Sequence, residues 1–204
     1  MLIIINGTSS TGKSTVCRTL QQCLGEGWLN FSTDGYLSML GDRFSELHPD
    51  NPNVCTPNDV CYAKRYDDDT YQIVAGPLCS QLYSTIPDVL ARLATQGFHL
   101  IVDAFIPTRG DLNHYKTVLA QWGTFFVYLS ATEETIAARE EARGNRLKGS
   151  AIHWLRTFDC QPVSDLVIDT TSLSVENIGD LILNAIHHRS DFIDAMEYKL
   201  PANT

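Results

Sequence analysis

Two hydrophobic rhythms alternate along the chain. Short stretches that are almost continuously apolar occur at Leu2-Ile3-Ile4-Ile5, Trp28 to Thr33, Phe98 to Ala104, Thr124 to Leu129 and Leu166 to Asp169. Runs this short, rich in Ile, Val, Leu and Phe, suit strands buried on both faces. Between them, apolar residues return every three or four positions. Val16, Leu20, Cys23 and Leu24 predict a helix over 13–24, with Cys17 and Cys23 as core positions. Leu78, Leu82, Ile86, Val89, Leu90 and Leu93 predict one long helix, opened by Gly76-Pro77 and ended near Gly97. Further helices are expected at about 111–121, at 131–143 with Ser130 and Glu133 as a capping box, and over Ile178 to Ile186.

Strands alternating with crossover-length helices imply a parallel sheet covered on both faces. The expected fold class is therefore α/β, a doubly wound, parallel five-stranded sheet. Two segments leave this rhythm. Residues 41–60 are rich in Pro, Asn and Asp and read as an irregular insertion, while Cys61 to Tyr66 and Thr70 to Val74 flank Asp67-Asp68-Asp69 as a hairpin. Asp34-Gly35 reads as a turn after the second strand. The organisation expected is a single domain over 1–188 with a substrate-side insertion at 41–75, followed by a tail over 189–204.

Composition narrows the partners. A chain of 204 residues suits one domain with an elaboration, and 44% hydrophobic with 19% charged residues is ordinary for a globular protein. Fifteen basic against 24 acidic residues leave a net charge of −9 with no Lys/Arg-rich block, so no nucleic-acid partner is expected. No stretch approaches the about 18 apolar residues of a spanning helix. The apolar start lacks a basic flank, so it reads as a core strand and no membrane partner is expected.

The first strand runs into Gly7-Thr8-Ser9-Ser10-Thr11-Gly12-Lys13-Ser14, and a helix follows at once. This is the phosphate-loop spacing G-x-x-x-x-G-K-[ST] in its required strand–loop–helix context. Glycines let successive N–H groups turn inward on a polyphosphate, and the helix N-terminus adds positive potential. Gly7, Thr8, Ser9, Ser10, Thr11, Gly12, Lys13, Ser14 and Thr15 are thus the candidate nucleotide-binding residues. Lys13 can reach the β- and γ-phosphates, and Ser14 offers Mg²⁺ a hydroxyl.

Ligands of open parallel sheets bind at the carboxyl ends of the strands. Asp103 ends Leu100-Ile101-Val102 there and is the second candidate for Mg²⁺, or else a cap for the next loop. Asp34 follows Phe31-Ser32-Thr33 and is a candidate general base, with a helix cap or turn as the competing reading. Asp169 reads as a turn former. Arg139, Arg143 and Arg146 share one face if the helix extends that far, and suit a lid that neutralises charge on a transferring phosphoryl group. The other reading is a solvated face balanced by Glu140 and Glu141. Tyr62, Lys64, Arg65 and Tyr71 either line a substrate pocket or form an exposed hairpin face, and His187-His188 read as surface. The six cysteines lack a C-x₂-C spacing and read as thiols.

From residue 2 to about 188 the chain resembles the chloramphenicol phosphotransferase-like P-loop kinases. The likeness rests on the phosphate loop, Phe31-Ser32-Thr33-Asp34, Gly76-Pro77, Leu100-Ile101-Val102-Asp103 and Asp165-Leu166-Val167-Ile168-Asp169-Thr170-Thr171. Most specific is Arg139-Glu140-Glu141-Ala142-Arg143-Gly144-Asn145-Arg146, which resembles the family's lid motif R-E-x-A-R-G-D-R. Departures are Ala104, where the family tends to carry a second acid, and Asn145 in place of Asp. The resemblance implies a kinase-type P-loop NTPase fold with a lid over about 139–150, and ATP with Mg²⁺ as cofactors. It also implies transfer to a small-molecule hydroxyl, with Asp34 as base and Lys13, Arg139 and Arg143 serving the phosphates. An ATP-dependent enzyme with reduced thiols is expected in the cytoplasm. A nucleotide or sugar-nucleotide kinase shares these parts. A P-loop switch that binds GTP and a partner protein is disfavoured because no N-K-x-D motif follows the fourth core strand, and a nucleotide-binding module that lost catalysis is the remaining alternative.

Overall fold

Every residue of β1 (Leu2–Asn6) is buried, and its side chains divide between two cores. Ile3 and Ile5 pack with Val16 and Leu20 of α1 (Lys13–Leu24) and with Ile178, Ile182 and Ile186 of α8 (Val175–His187). Leu2 and Ile4 join the opposite cluster, with Leu90 of α4 (Ile86–Thr95) and Leu112 and Tyr115 of α5 (Arg109–Val118). Period-two alternation thus feeds a helical layer on each face, and burying each such aliphatic side chain contributes about 1.5–3 kcal/mol. This computed structural model describes residues 1–41, 61–144 and 147–189. All but Gly41 of the irregular insertion expected at 41–60, Arg146 with Asn145, and nearly all of the expected tail lie outside the described residues.

The main sheet is parallel and five-stranded. β1 lies between β5 (His99–Asp103) and β6 (Thr124–Ser130), with β2 (Trp28–Ser32) outside β5 and β7 (Leu166–Asp169) outside β6. The order β2-β5-β1-β6-β7 places β1 at the reversal of strand order, where the loops at the strand ends part and leave a crevice. Register sets what meets there. Ile5 and Ser32 both pair with Asp103, so the chain leaving β1, the end of β5 and the residues after β2 converge. Buried Asn6 fixes the backbone beyond β5: its Nδ2 donates to Ile106 O at 2.9 Å, and its Oδ1 accepts from Ile106 N at 2.8 Å.

The helices differ from the sequence expectation at four places. Asp34-Gly35 is no turn; it lies in α2 (Thr33–Leu37), because Ser32 Oγ accepts from Gly35 N at 3.2 Å and caps a helical start. The single long helix is two, α3 (Pro77–Ser84) and α4, separated at Thr85. Pro87 has no N–H to continue the ladder from α3. Leu78 is consequently 55% exposed while Cys79 is buried. The cap of α6 (Glu133–Arg143) is Thr132, whose Oγ1 accepts from Thr135 N at 3.3 Å; Ser130 belongs to β6. Finally, α7 (Ser150–Thr157) has no counterpart in the sequence reading, because it starts after Gly149 without a side-chain cap of its own.

The hairpin does form, as β3 (Cys61–Arg65) paired antiparallel with β4 (Tyr71–Ala75). Its acidic tip is a turn: Asp68 Oδ1 accepts from Thr70 N at 3.2 Å and Thr70 Oγ1 at 2.7 Å. The cysteines among the described residues are thiols, and Cys23, expected in the core, is exposed while Cys17 is buried. Among the described residues no helix is long and apolar enough to cross a membrane.

Candidate active site

The loop from Gly7 to Ser14 turns back on itself through positive backbone angles at Gly7 (φ 142), Ser10 (φ 65) and Gly12 (φ 96). Gly7 has no alternative, since a Cβ there would collide with the carbonyl oxygen of Leu129. Side chains then hold the curl. Thr11 Oγ1 and Lys13 Nζ each donate to Thr8 O at 2.9 Å, and buried Thr8 donates through Oγ1 to Ala151 O at 2.9 Å. The hydroxyls of Ser9 and Ser10 are buried without a hydrogen-bond partner among the described residues. Unsatisfied polar groups, a helix N-terminus and an ammonium gathered on one loop form a cradle suited to a polyphosphate.

Ser14, at the start of α1, donates through Oγ to Asp103 Oδ2 at 2.5 Å. The pair supplies hard oxygen donors beside the cradle, which is the donor set Mg²⁺ takes when phosphates and water complete its shell. Among the described residues no group of three or more His, Cys, Asp or Glu is placed to hold a metal ion. Asp34 stands in the first turn of α2, two residues beyond the partner of Asp103 in the strand register, and is exposed.

On the other side of the loop, Arg139 projects from α6. Its Nη1 donates to Thr170 Oγ1 at 3.1 Å and reaches Ser10 O at 3.4 Å, while Nη2 donates to Thr170 O at 2.9 Å. The buried Thr170 hydroxyl lies 3.1 Å from Thr11 O and 2.9 Å from Ser130 O. Arg139, Arg143, Ser10, Thr11, Gly12, Thr15 and Thr170 line a cleft of about 320 Å³, together with the apolar Leu173, Val175 and Ile178.

Other sequence candidates resolve differently. Asp169 Oδ1 accepts from Thr171 N at 2.8 Å, and these hydrogen bonds hold its carboxyl below the ordinary range while closing the turn. Arg65 pairs with Asp69, and Lys64 sits 5.0 Å over the Tyr66 ring, so both serve the hairpin's own face. His187 and His188 are exposed. Beyond Asp103, Phe105 meets Trp154 of α7 edge-on at 5.0 Å.

Two residues near this site escaped the sequence reading. Thr170 stood in the closing strand segment without a role. Glu140, read as a balancing surface charge, is only 4% exposed, and its carboxylate accepts from Gly149 N at 2.7 Å and Ala151 N at 3.0 Å. The signal was available only indirectly, in an α7 that has no cap of its own.

The family model described as chloramphenicol phosphotransferase-like protein matches residues 1–187. The chain belongs to this family. A provisionally named O-phosphotransferase of Mycobacterium tuberculosis, found under that description in two strains, is 24% identical over 178 residues, covering 87% of this chain and 78% of the relative. Among solved structures, a sugar kinase from Janibacter sp. HTCC2649 superimposes with TM-score 0.61 at 16% identity, covering 96% of each chain. The APS kinase of Mycobacterium tuberculosis, solved with AMPPNP and APS, gives 0.57 at 15% identity and covers 91% of this chain and 96% of its own. Shikimate kinase from Acinetobacter baumannii, solved with shikimate, gives 0.57 at 18% identity over 91% and 92%. At these identities the structural likeness speaks for the P-loop kinase fold, and family membership speaks for phosphotransferase chemistry.

Proposed function

We propose that this chain is an ATP- and Mg²⁺-dependent phosphotransferase that moves the γ-phosphoryl group of ATP to a hydroxyl of a small molecule. The observation that carries the reading is the meeting of Ser14 with Asp103 at 2.5 Å beside the phosphate cradle, with Asp34 on the adjoining strand end. A nucleotide-binding loop alone serves switches as well as enzymes. A hard-oxygen donor pair with an exposed carboxylate in the first turn of the neighbouring α2 suits transfer.

In this reading Gly7 to Thr15 hold the triphosphate through backbone N–H groups, and the apolar lining of the cleft at Leu173, Val175 and Ile178 takes the base. Mg²⁺ bound at the Ser14 and Asp103 oxygens supplies positive charge beside the polyphosphate. Asp34 accepts the proton of the acceptor hydroxyl as its oxygen bonds to the γ-phosphorus. The bond from that phosphorus to the β–γ bridging oxygen breaks, and ADP leaves. Lys13, Arg139 and Arg143 neutralise the charge spread over the transferring oxygens. In the same reading residues 139–150 serve as the lid within a single domain over 1–188, the hairpin flanks the acceptor, and thiols with ATP use support a cytoplasmic enzyme.

ADP formation measured with Mg²⁺-ATP across chloramphenicol, simple sugars, gluconate, shikimate and nucleosides tests the reading, beside Lys13→Ala. Acceptor-dependent ADP that disappears in the variant supports it and identifies the acceptor class. Tight ATP binding with no turnover on any acceptor would instead favour a nucleotide-binding switch.

A further inference from the structure

Arg139 and Glu140, neighbours on α6, grip two different parts of the molecule. Arg139 holds Ser10 and Thr170 at the nucleotide cleft. Glu140 holds the start of α7, its two carboxylate oxygens taken by the N–H groups of Gly149 and Ala151. Those are orphan donors of a helix N-terminus, which α7 cannot satisfy from its own first residues.

From there the connections continue to the acceptor side. Arg156, in the last turn of α7, donates from Nε and Nη2 to Glu133 of α6 at 2.7 and 2.6 Å, and from Nη1 to Asp68 of the hairpin at 2.8 Å. His153 stacks on Tyr66 with ring centroids 4.7 Å apart. The backbone of Gly149 lies so close to the hairpin that a Cβ there would come within 2.9 Å of Asp69 O. Thus α6 and α7 are braced to each other at both ends, and α7 is fastened to the hairpin along its length.

We propose that Glu140 is a positioning residue that makes α6, α7 and the hairpin one body, so that nucleotide held against Arg139 and Arg143 orders the acceptor side. The inference rests on the nucleotide-binding reading of the cleft. Binding that immobilises α6 removes freedom from whatever α6 is rigidly joined to, and an acceptor then meets a hairpin whose ordering cost is already met. By linkage the acceptor tightens nucleotide binding to the same degree. A carboxylate is required, because Gln at this position would turn an amide donor toward one of the two N–H groups.

Hydrogen exchange of the full chain with and without Mg²⁺-AMPPNP tests this, in the native protein, Glu140→Gln and Arg156→Ala. Native protein is expected to show nucleotide-dependent protection both in the phosphate loop and at hairpin amides 61–75, the latter slowed about tenfold, within the usual range of coupling between sites. Both variants should keep the phosphate-loop protection, with the effect on the hairpin falling below about twofold. A merely structural Glu140 would speed exchange without nucleotide but leave the nucleotide-dependent ratio intact. Arg156 is half-exposed, so Arg156→Ala decides the matter should Glu140→Gln not fold.

Hairpin protection unchanged in the variants, or absent in native protein whose phosphate loop is protected, overturns the proposal. Absence of protection in the native phosphate loop itself would defeat the nucleotide reading, and the proposal with it.

Discussion

Ser14 Oγ donates to Asp103 Oδ2 at 2.5 Å, a bond between residues 89 positions apart that joins the start of α1 to the end of β5. The chemistry at this junction depends on sheet order, since the two residues meet because β5 is the neighbour of β1. Asp103→Asn keeps the size and a hydrogen-bonding oxygen but removes the charge. Loss of such a ligand or its orienting partner typically weakens metal binding about 10–100-fold. Asp103→Asn should therefore shift the Mg²⁺ dependence of ADP formation to higher concentration by about that factor, as a Mg²⁺ titration at saturating ATP would register. An unchanged titration would remove Asp103 from the site.

Asp34 is exposed and is not among the residues lining the cleft beside Arg139, so under the proposed function its role as base can be tested apart from nucleotide binding. Asp34→Asn should lower turnover of an accepted hydroxyl compound about 10²–10⁴-fold, the usual contribution of a general base. AMPPNP affinity, read by calorimetry, should stay within about twofold, because a general base acts on the acceptor hydroxyl and not on the phosphates. Turnover equal to that of the native enzyme would rule the carboxylate out as base.

Gly7 and Gly27 both have positive φ, at 142° and 96°, but only Gly7 faces a carbonyl that a Cβ would strike. Gly27→Ala should cost about 1–2 kcal/mol of conformational strain alone. Gly7→Ala adds steric displacement of Leu129 in the central β6 and should cost about 2 kcal/mol more. Urea unfolding of the two variants beside the native chain compares them, and equal midpoints would mean that the loop yields without resistance.

Burial lowers the pKa of His99, with help from the neighbouring N-terminal amine, and burial also lowers that of His153, opposed by Asp68 and aided by Lys64. Both groups bind protons more readily unfolded than folded. Their contribution to stability is complete above the ordinary histidine value of 6.5 and is lost as pH falls through the lowered folded values. Native protein should therefore have a lower urea midpoint at pH 5.5 than at 7.5. His99→Gln combined with His153→Gln should flatten that interval, while the carboxylates act further down. A slope unaffected by the double substitution would assign the loss to other groups.

Much of this protein is determined by residues adjacent in the chain. Continuous apolar runs bounded by turns mark all five strands, and burial on both faces accounts for the inner β1, β5 and β6, while the edge strands β2 and β7 stay partly exposed. The phosphate loop is equally local: eight consecutive residues contain the glycines, lysine and hydroxyl that the cradle needs. The closing strand and the helix carrying Arg139 and Arg143 were legible for the same reason.

Tertiary structure decided what depends on a distant partner. The Cys23 position has the right spacing for a core residue, yet the sheet covers only the face of α1 that carries Cys17. Glu140 has the composition of a surface charge and becomes a buried cap only because α7 starts beside it. Thr170 gained its place from three backbone and side-chain partners on β6, the phosphate loop and α6. Local sequence records the propensities of a segment and the period of its burial. Satisfaction of a buried polar group is a property of the partners the fold brings to it, so those residues became readable only when the strands were in order.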